Sequence, residues 1–257
     1  MRGQAPEPSP TPARGVLGSK VGSDPLRLDL AAGGTLARPP LTPARAAWLI
    51  VEMGLLFVAA PLAMHAAVHQ ARTPLFLALI PVLAIVLLIL AFDRTFSLKR
   101  EAATGFGWRT GLSILVVFAV GTAGVAAWLQ DTHPDWLFEF PRNRPQLWMA
   151  ILLAYPFASV AAQEIVYRTF YFHRYGPLFG AWRGLAIALN GGLFGFGHIV
   201  VGQPFAMVAT TLTGLLFAAR YAETRSFWAV FLEHTLWGAM VFTIGLGRYF
   251  FTGVSNV

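Results

Sequence analysis

Residues 74–92 read PLFLALIPVLAIVLLILAF, nineteen residues without one charged side chain. Wound as a helix at about 1.5 Å per residue, the run spans roughly 28 Å, close to the ~30 Å hydrocarbon core of a bilayer. In lipid, every backbone N–H and C=O must find its partner inside the protein, which leaves helices or closed barrels. A barrel strand would show about ten residues of alternating character; this run does not alternate. It therefore predicts a transmembrane helix facing lipid, with Pro81 as a site for a kink.

The rest of the chain agrees. Of 257 residues, 56% are hydrophobic and only 12% charged, against about 25% charged in soluble domains. Mean hydropathy is +0.60. The fold class expected is an all-α polytopic transmembrane bundle. The chain has no cysteine, so disulfides and thiolate chemistry are excluded. Net charge is +7, but the basic residues fall between apolar runs. That pattern marks cytoplasmic loops and argues against nucleic-acid binding.

About seven spans follow: 46–68, 74–92, 112–129, 147 to about 173, 185–201, 205–221 and 227–246. The fourth is expected to stop near His173 and Arg174, before the turn signal Tyr175-Gly176-Pro177. The stretch 184–219 has no Asp, Glu, Lys or Arg and is divided by Gly202-Gln203-Pro204. Residues 1–45 form a polar tail with eight prolines and six glycines, read as disordered or surface-associated. A cytoplasmic N-terminus and an external C-terminus put the loops 93–111, 173–184 and 220–225 inside, with most of the Lys and Arg. The location expected is the cell membrane, a bacterial inner membrane, crossed several times.

The two halves differ. The later spans carry ionisable residues inside apolar sequence: Glu164, Arg168, His198, Glu233 and His234. Such residues cost several kcal/mol unless they face a partner or a polar cavity. Glu164 and Arg168 are four apart and share a helix face. Asn190, Phe194 and His198 form a second stripe at the same interval. Glu233 precedes His234 directly, so their side chains diverge by about 100°; Glu233 is expected only to border a cavity. One Glu, one Arg and two His on three spans suit hydrolysis, with a carboxylate taking a proton from water and His assisting. The same side chains could ligate zinc. No His-Glu-x-x-His pair is present, and a site without cofactor is the preferred reading.

Three motifs add a resemblance. Gln163-Glu164-Ile165-Val166-Tyr167-Arg168, Phe194-Gly195-Phe196-Gly197-His198 and His234-Thr235-Leu236-Trp237-Gly238 follow in order. Over about residues 145–250 the chain resembles the CAAX-protease and bacteriocin-processing (CPBP) family of glutamic-type intramembrane proteases. The family patterns are Glu-Glu-x-x-x-Arg, Phe-x-x-x-His and His-x-x-x-Asn. Here Gln163 replaces the first Glu, to which the family gives a central catalytic part, and Gly238 replaces the Asn. The wording looks like a bacterial branch that keeps these changes and is similar to processing proteases for C-terminal sorting signals.

The resemblance implies an intramembrane endopeptidase acting on the C-terminal region of a membrane-anchored protein. Glu164, Arg168, His198 and His234 would be catalytic, with Gln163, Glu233 and Asn190 in support. Glu164 is expected to take over as base, with Glu233 from the facing span as the rival, and Asn190 or Gln163 to replace the lost amide donor. The alternative function is a non-enzymatic scaffold, peptide-binding or immunity protein. Uniform spans would leave Glu164, His198 and His234 at different depths, so a common site requires an irregular or displaced helix.

Overall fold

The computed structural model describes residues 41–250, apart from the side chains of Leu75 and Phe76. The tail expected over residues 1–45 lies outside them except for its last five residues. The first helix, α1 (Pro43–His69), opens three residues before the expected span. Thr42 caps it, its hydroxyl accepting from the Arg45 N–H at 3.3 Å, with Pro43 in the first turn. There follow α2 (Leu75–Phe92), the short α3 (Leu98–Ala103) and α4 (Trp108–Thr132). Then come α5 (Pro145–Phe179), α6 (Arg183–Val201), α7 (Pro204–Thr224) and α8 (Phe227–Ile244).

Six of these, α1 and α4 to α8, are long and apolar enough to cross a membrane, and α2 is a further, shorter apolar helix. No strand occurs among the described residues. Trp48, Ile80, Leu88, Val120, Leu153, Phe157 and Leu212 stand exposed on the outside of the bundle. Water would penalise so broad an apolar surface, whereas lipid tails solvate it. The chain is a multi-pass helical membrane protein.

Helix α5 departs from expectation. It does not stop at His173 but runs through Tyr175-Gly176-Pro177 to Phe179, thirty-five residues in all. Side-chain anchors outweigh the local turn preference. Arg174 donates twice to Glu52 of α1, at 2.9 and 2.8 Å, and the Tyr175 hydroxyl donates to the same carboxylate at 3.1 Å. His173 meets Asp93, just past α2, at 3.1 Å. Glu52 therefore faces the bundle, only 8% exposed. Nearby, Glu101 of α3 accepts from Thr169 at 2.9 Å and from Tyr221 at 2.7 Å. These carboxylates tie one end of the bundle together, beside a core of Phe57, Phe170, Tyr171, Phe172 and Tyr175.

Two wide turns interrupt α5, at Pro156–Val160 and Ile165–Phe170. Pro156 opens the first, in which the Ala161 N–H bonds the Pro156 carbonyl five residues back. Such π-type turns rotate the residues that follow and are frequent at functional sites. Gln163 and Glu164 occupy the four-residue segment between the two.

Helices α6 and α7 pack through glycine. A Cβ at Gly191 would meet Leu215 at 2.6 Å, one at Gly195 would meet the Met207 carbonyl at 2.8 Å, and one at Gly214 would meet the Phe194 ring at 2.8 Å. Small residues permit this close backbone approach in membranes, where packing rather than water expulsion drives association. The last turn of α6, His198–Val201, tightens to 3-10 geometry and ends on Gly202 at φ 75°.

Candidate active site

Inside the bundle lies a cavity of about 1100 Å³, lined by parts of α1, α2 and α4 to α8. Among the described residues no Asp, Glu, Lys or Arg lines it. Its polar wall consists chiefly of Tyr155, Ser159, Gln163 and Tyr167 from α5, His198 from α6 and His234 from α8. The irregular turns of α5 and the terminal position of His198 on α6 bring these together although the sequence suggested different depths.

With both rings neutral, the hydrogen bonds fix the imidazole tautomers. His198 Nδ1 lies 2.8 Å from the Phe194 carbonyl. A carbonyl only accepts, so Nδ1 carries the proton and Nε2 of the neutral ring keeps its lone pair. His234 Nδ1 lies 2.7 Å from Glu164 Oε1, and its Nε2 lies 3.1 Å from the Tyr155 hydroxyl. In the neutral ring, donation from Nδ1 to the carboxylate leaves Nε2 as acceptor for the phenol. The chain of contacts runs Glu164 to His234 to Tyr155. The His234 ring is held flat on Phe217, 4.9 Å between centroids.

Behind this wall stands Arg168, fully buried. Its Nε is 3.4 Å from Glu164 Oε2, and one terminal nitrogen donates to the Gly214 carbonyl at 3.2 Å. The guanidinium covers the rings of Phe194 at 4.3 Å and Phe217 at 5.4 Å. Negative ring faces supply part of the compensation a buried cation requires.

Gln163, His198 and His234 line the cavity. Glu164, expected to activate water itself, is 0% exposed and does not reach the cavity. Its two oxygens face His234 and Arg168. Asn190 is also sealed off: its amide donates to the Tyr167 carbonyl at 2.6 Å, so it is not placed to replace a donor at the site. Gln163 spends one donor on Ser159 at 2.7 Å. Glu233 does not border the cavity. It pairs twice with Arg220 of α7, at 3.1 and 3.2 Å, on another face of α8. The 100° divergence from His234 accounts for this.

Residues 145–240 match the family described as type II CAAX prenyl endopeptidase Rce1-like. Over those residues the chain is similar to that family. Comparisons with curated proteins and with solved structures give no match. The matched segment contains all the polar wall residues just named, while α1, α2 and α4 help to complete the cavity from outside it. That family is one of endopeptidases. Sequence reasoning overlooked Tyr155, Ser159 and Tyr167. Their signal was present: hydroxyl side chains within an otherwise apolar span, one directly before a proline.

Proposed function

We propose that this protein is an endopeptidase of the membrane interior, acting without a metal on a membrane-anchored protein near its C-terminus. The observation that carries the reading is the pair His198 and His234 on the wall of a cavity that, among the described residues, no Asp, Glu, Lys or Arg lines. In the reaction, His198 Nε2 takes a proton from water as the water oxygen bonds to the substrate carbonyl carbon. The carbonyl oxygen becomes an oxyanion. The C–N bond then breaks, and His198 returns the proton to the leaving amine. Glu164 acts through His234, holding the Nδ1 proton and the ring orientation.

Two features favour an internal peptide bond. A free terminal carboxylate inside an apolar cavity would call for a fixed cation, and among the described residues neither Lys nor Arg lines it. The cavity also admits an apolar segment, as a membrane anchor would present. The enzyme is proposed to sit in the cell membrane with its N-terminus in the cytoplasm.

The test is cleavage of a co-expressed membrane-anchored substrate, normalised to folded enzyme. A neighbouring gene whose product ends in an apolar helix and a basic stretch supplies the first candidate. His198→Gln should reduce the rate at least about 10²-fold, the lower end of general-base contributions. Near-normal cleavage by that variant would remove the mechanism; a peptide bound but never cleaved would favour the scaffold alternative. Metal analysis of active protein should find well under one zinc per chain. Activity lost to a chelator and restored by zinc would reverse the metal assignment.

A further inference from the structure

Tyr155 sits at a join in the structure. It is the last residue before Pro156 and the wide turn that begins there. Its ring lies across α8, edge-on to Phe242 at 5.4 Å. Gly238 makes this possible: a Cβ there would overlap the Tyr155 ring and its hydroxyl. The absent side chain at 238 and the phenol at 155 are thus complementary, and both line the cavity. The only hydrogen-bond partner of the phenol among the described residues is His234 Nε2, at 3.1 Å.

Two of the other candidate donors are less well placed. Asn190 is engaged by the Tyr167 carbonyl and lies off the cavity. Gln163 already gives one of its two amide N–H groups to Ser159. The Tyr155 O–H alone combines a place on the wall with a direct bond to one of the two imidazoles.

We propose that Tyr155 is a catalytic residue that donates its hydroxyl hydrogen bond to the oxyanion formed during peptide hydrolysis, in the space vacated by the glycine at 238. The assignment rests on the hydrolytic reading above. In the resting enzyme the phenol bonds a neutral nitrogen. As the substrate carbonyl gains charge, the hydroxyl turns to it. A hydrogen bond to an ionised acceptor is roughly twice as strong as one between neutral groups, so the exchange favours the transition state over the ground state. No proton is transferred by Tyr155 in this step; the water's proton goes to His198. Glu164 and Arg168 keep His234 in place while its bond to the phenol is released.

The decisive variant is Tyr155→Phe, which keeps the ring, its packing on Phe242 and its fit against Gly238. Cleavage of the co-expressed substrate should be compared with His198→Gln in parallel. Detergent-purified protein should supply kcat, KM and the melting temperature. The expected result is a kcat lower by about 10²- to 10³-fold, as for loss of one oxyanion donor, with KM within about twofold and an unchanged melting temperature. A raised KM with kcat intact would overturn the proposal, because the hydroxyl would then bind substrate uniformly. Near-normal cleavage by Tyr155→Phe with an inactive His198→Gln would refute Tyr155 and leave the hydrolytic reading standing. Normal cleavage by both would refute both. Gly238→Ala should mimic the loss, since the new methyl displaces the phenol; full activity there would also count against the assignment.

Discussion

Glu164 has two partners, and replacing it with Gln should reveal both. At 3.4 Å from Arg168, the Coulomb attraction at an effective dielectric of 20 is about 5 kcal/mol. Desolvation of both charges offsets much of that in the wild type. Removing only one charge leaves the other buried, at a typical cost of about 3–5 kcal/mol. The remaining contacts of Arg168, the Gly214 carbonyl and two ring faces, compensate only part of it. Glu164→Gln should therefore lower the stability of the detergent-solubilised protein by an amount in that range. Its amide oxygen can still accept from His234 Nδ1, but without charge, so cleavage should also fall by at least about 10²-fold. The double variant Glu164→Gln with Arg168→Met separates the two effects. An apolar replacement of a buried pair is often neutral or stabilising, so the melting temperature should recover. Activity should not. The assays are thermal unfolding in detergent and cleavage of the co-expressed substrate per folded molecule. Cleavage restored along with stability in the double variant would refute the role of Glu164 in orienting His234. Unchanged stability in the single variant would refute the pairing.

Three further outcomes are expected. A reporter fused after Val257 should read the external side and one fused after Arg100 the cytoplasm; both on one side would overturn the N-in, C-out orientation. Gly195→Val should lower folded yield and cost about 1–3 kcal/mol through overpacking, because even a Cβ would strike the Thr211 side chain and meet the Met207 carbonyl at 2.8 Å; accumulation and melting like the wild type would contradict the α6–α7 packing. Burial pushes the Asp93 carboxyl up, but hydrogen bonds from the Thr95 hydroxyl and amide, together with His173, outweigh it and hold it below its ordinary value of 3.8. The unfolded chain then binds this proton more readily, so the contribution is complete above about 3.8 and is lost as pH falls through the folded value. Melting temperature measured from pH 6 downward should show an acid limb that Asp93→Asn removes; an identical limb in that variant would assign the loss to other groups.

Much of the architecture was legible in sequence because lipid imposes a simple rule. An uninterrupted apolar run must be a helix, so 74–92 and its counterparts declared themselves, and polar residues inside such runs pointed to the half that supplies most of the cavity's polar wall. The spacing of four between Glu164 and Arg168 predicted their shared face, and they meet. Adjacency predicted that Glu233 would diverge from His234, and it pairs with Arg220 instead. These conclusions needed only the periodicity of a helix.

What sequence could not supply was depth and company. Uniform helices would have kept Glu164, His198 and His234 apart. They converge because π-type turns around Pro156 and Ile165 rotate α5, and because His198 opens a tightened final turn of α6. Local signals read Tyr175-Gly176-Pro177 as an end, yet Glu52, more than a hundred positions earlier, anchors Arg174 and Tyr175 and keeps the helix going. Burial of Glu164 behind His234, and the fit of Tyr155 into the space left by Gly238, are likewise relations between helices distant in the chain. The periodicity of one helix determines which of its faces is polar, but only packing against the others decides what that face meets.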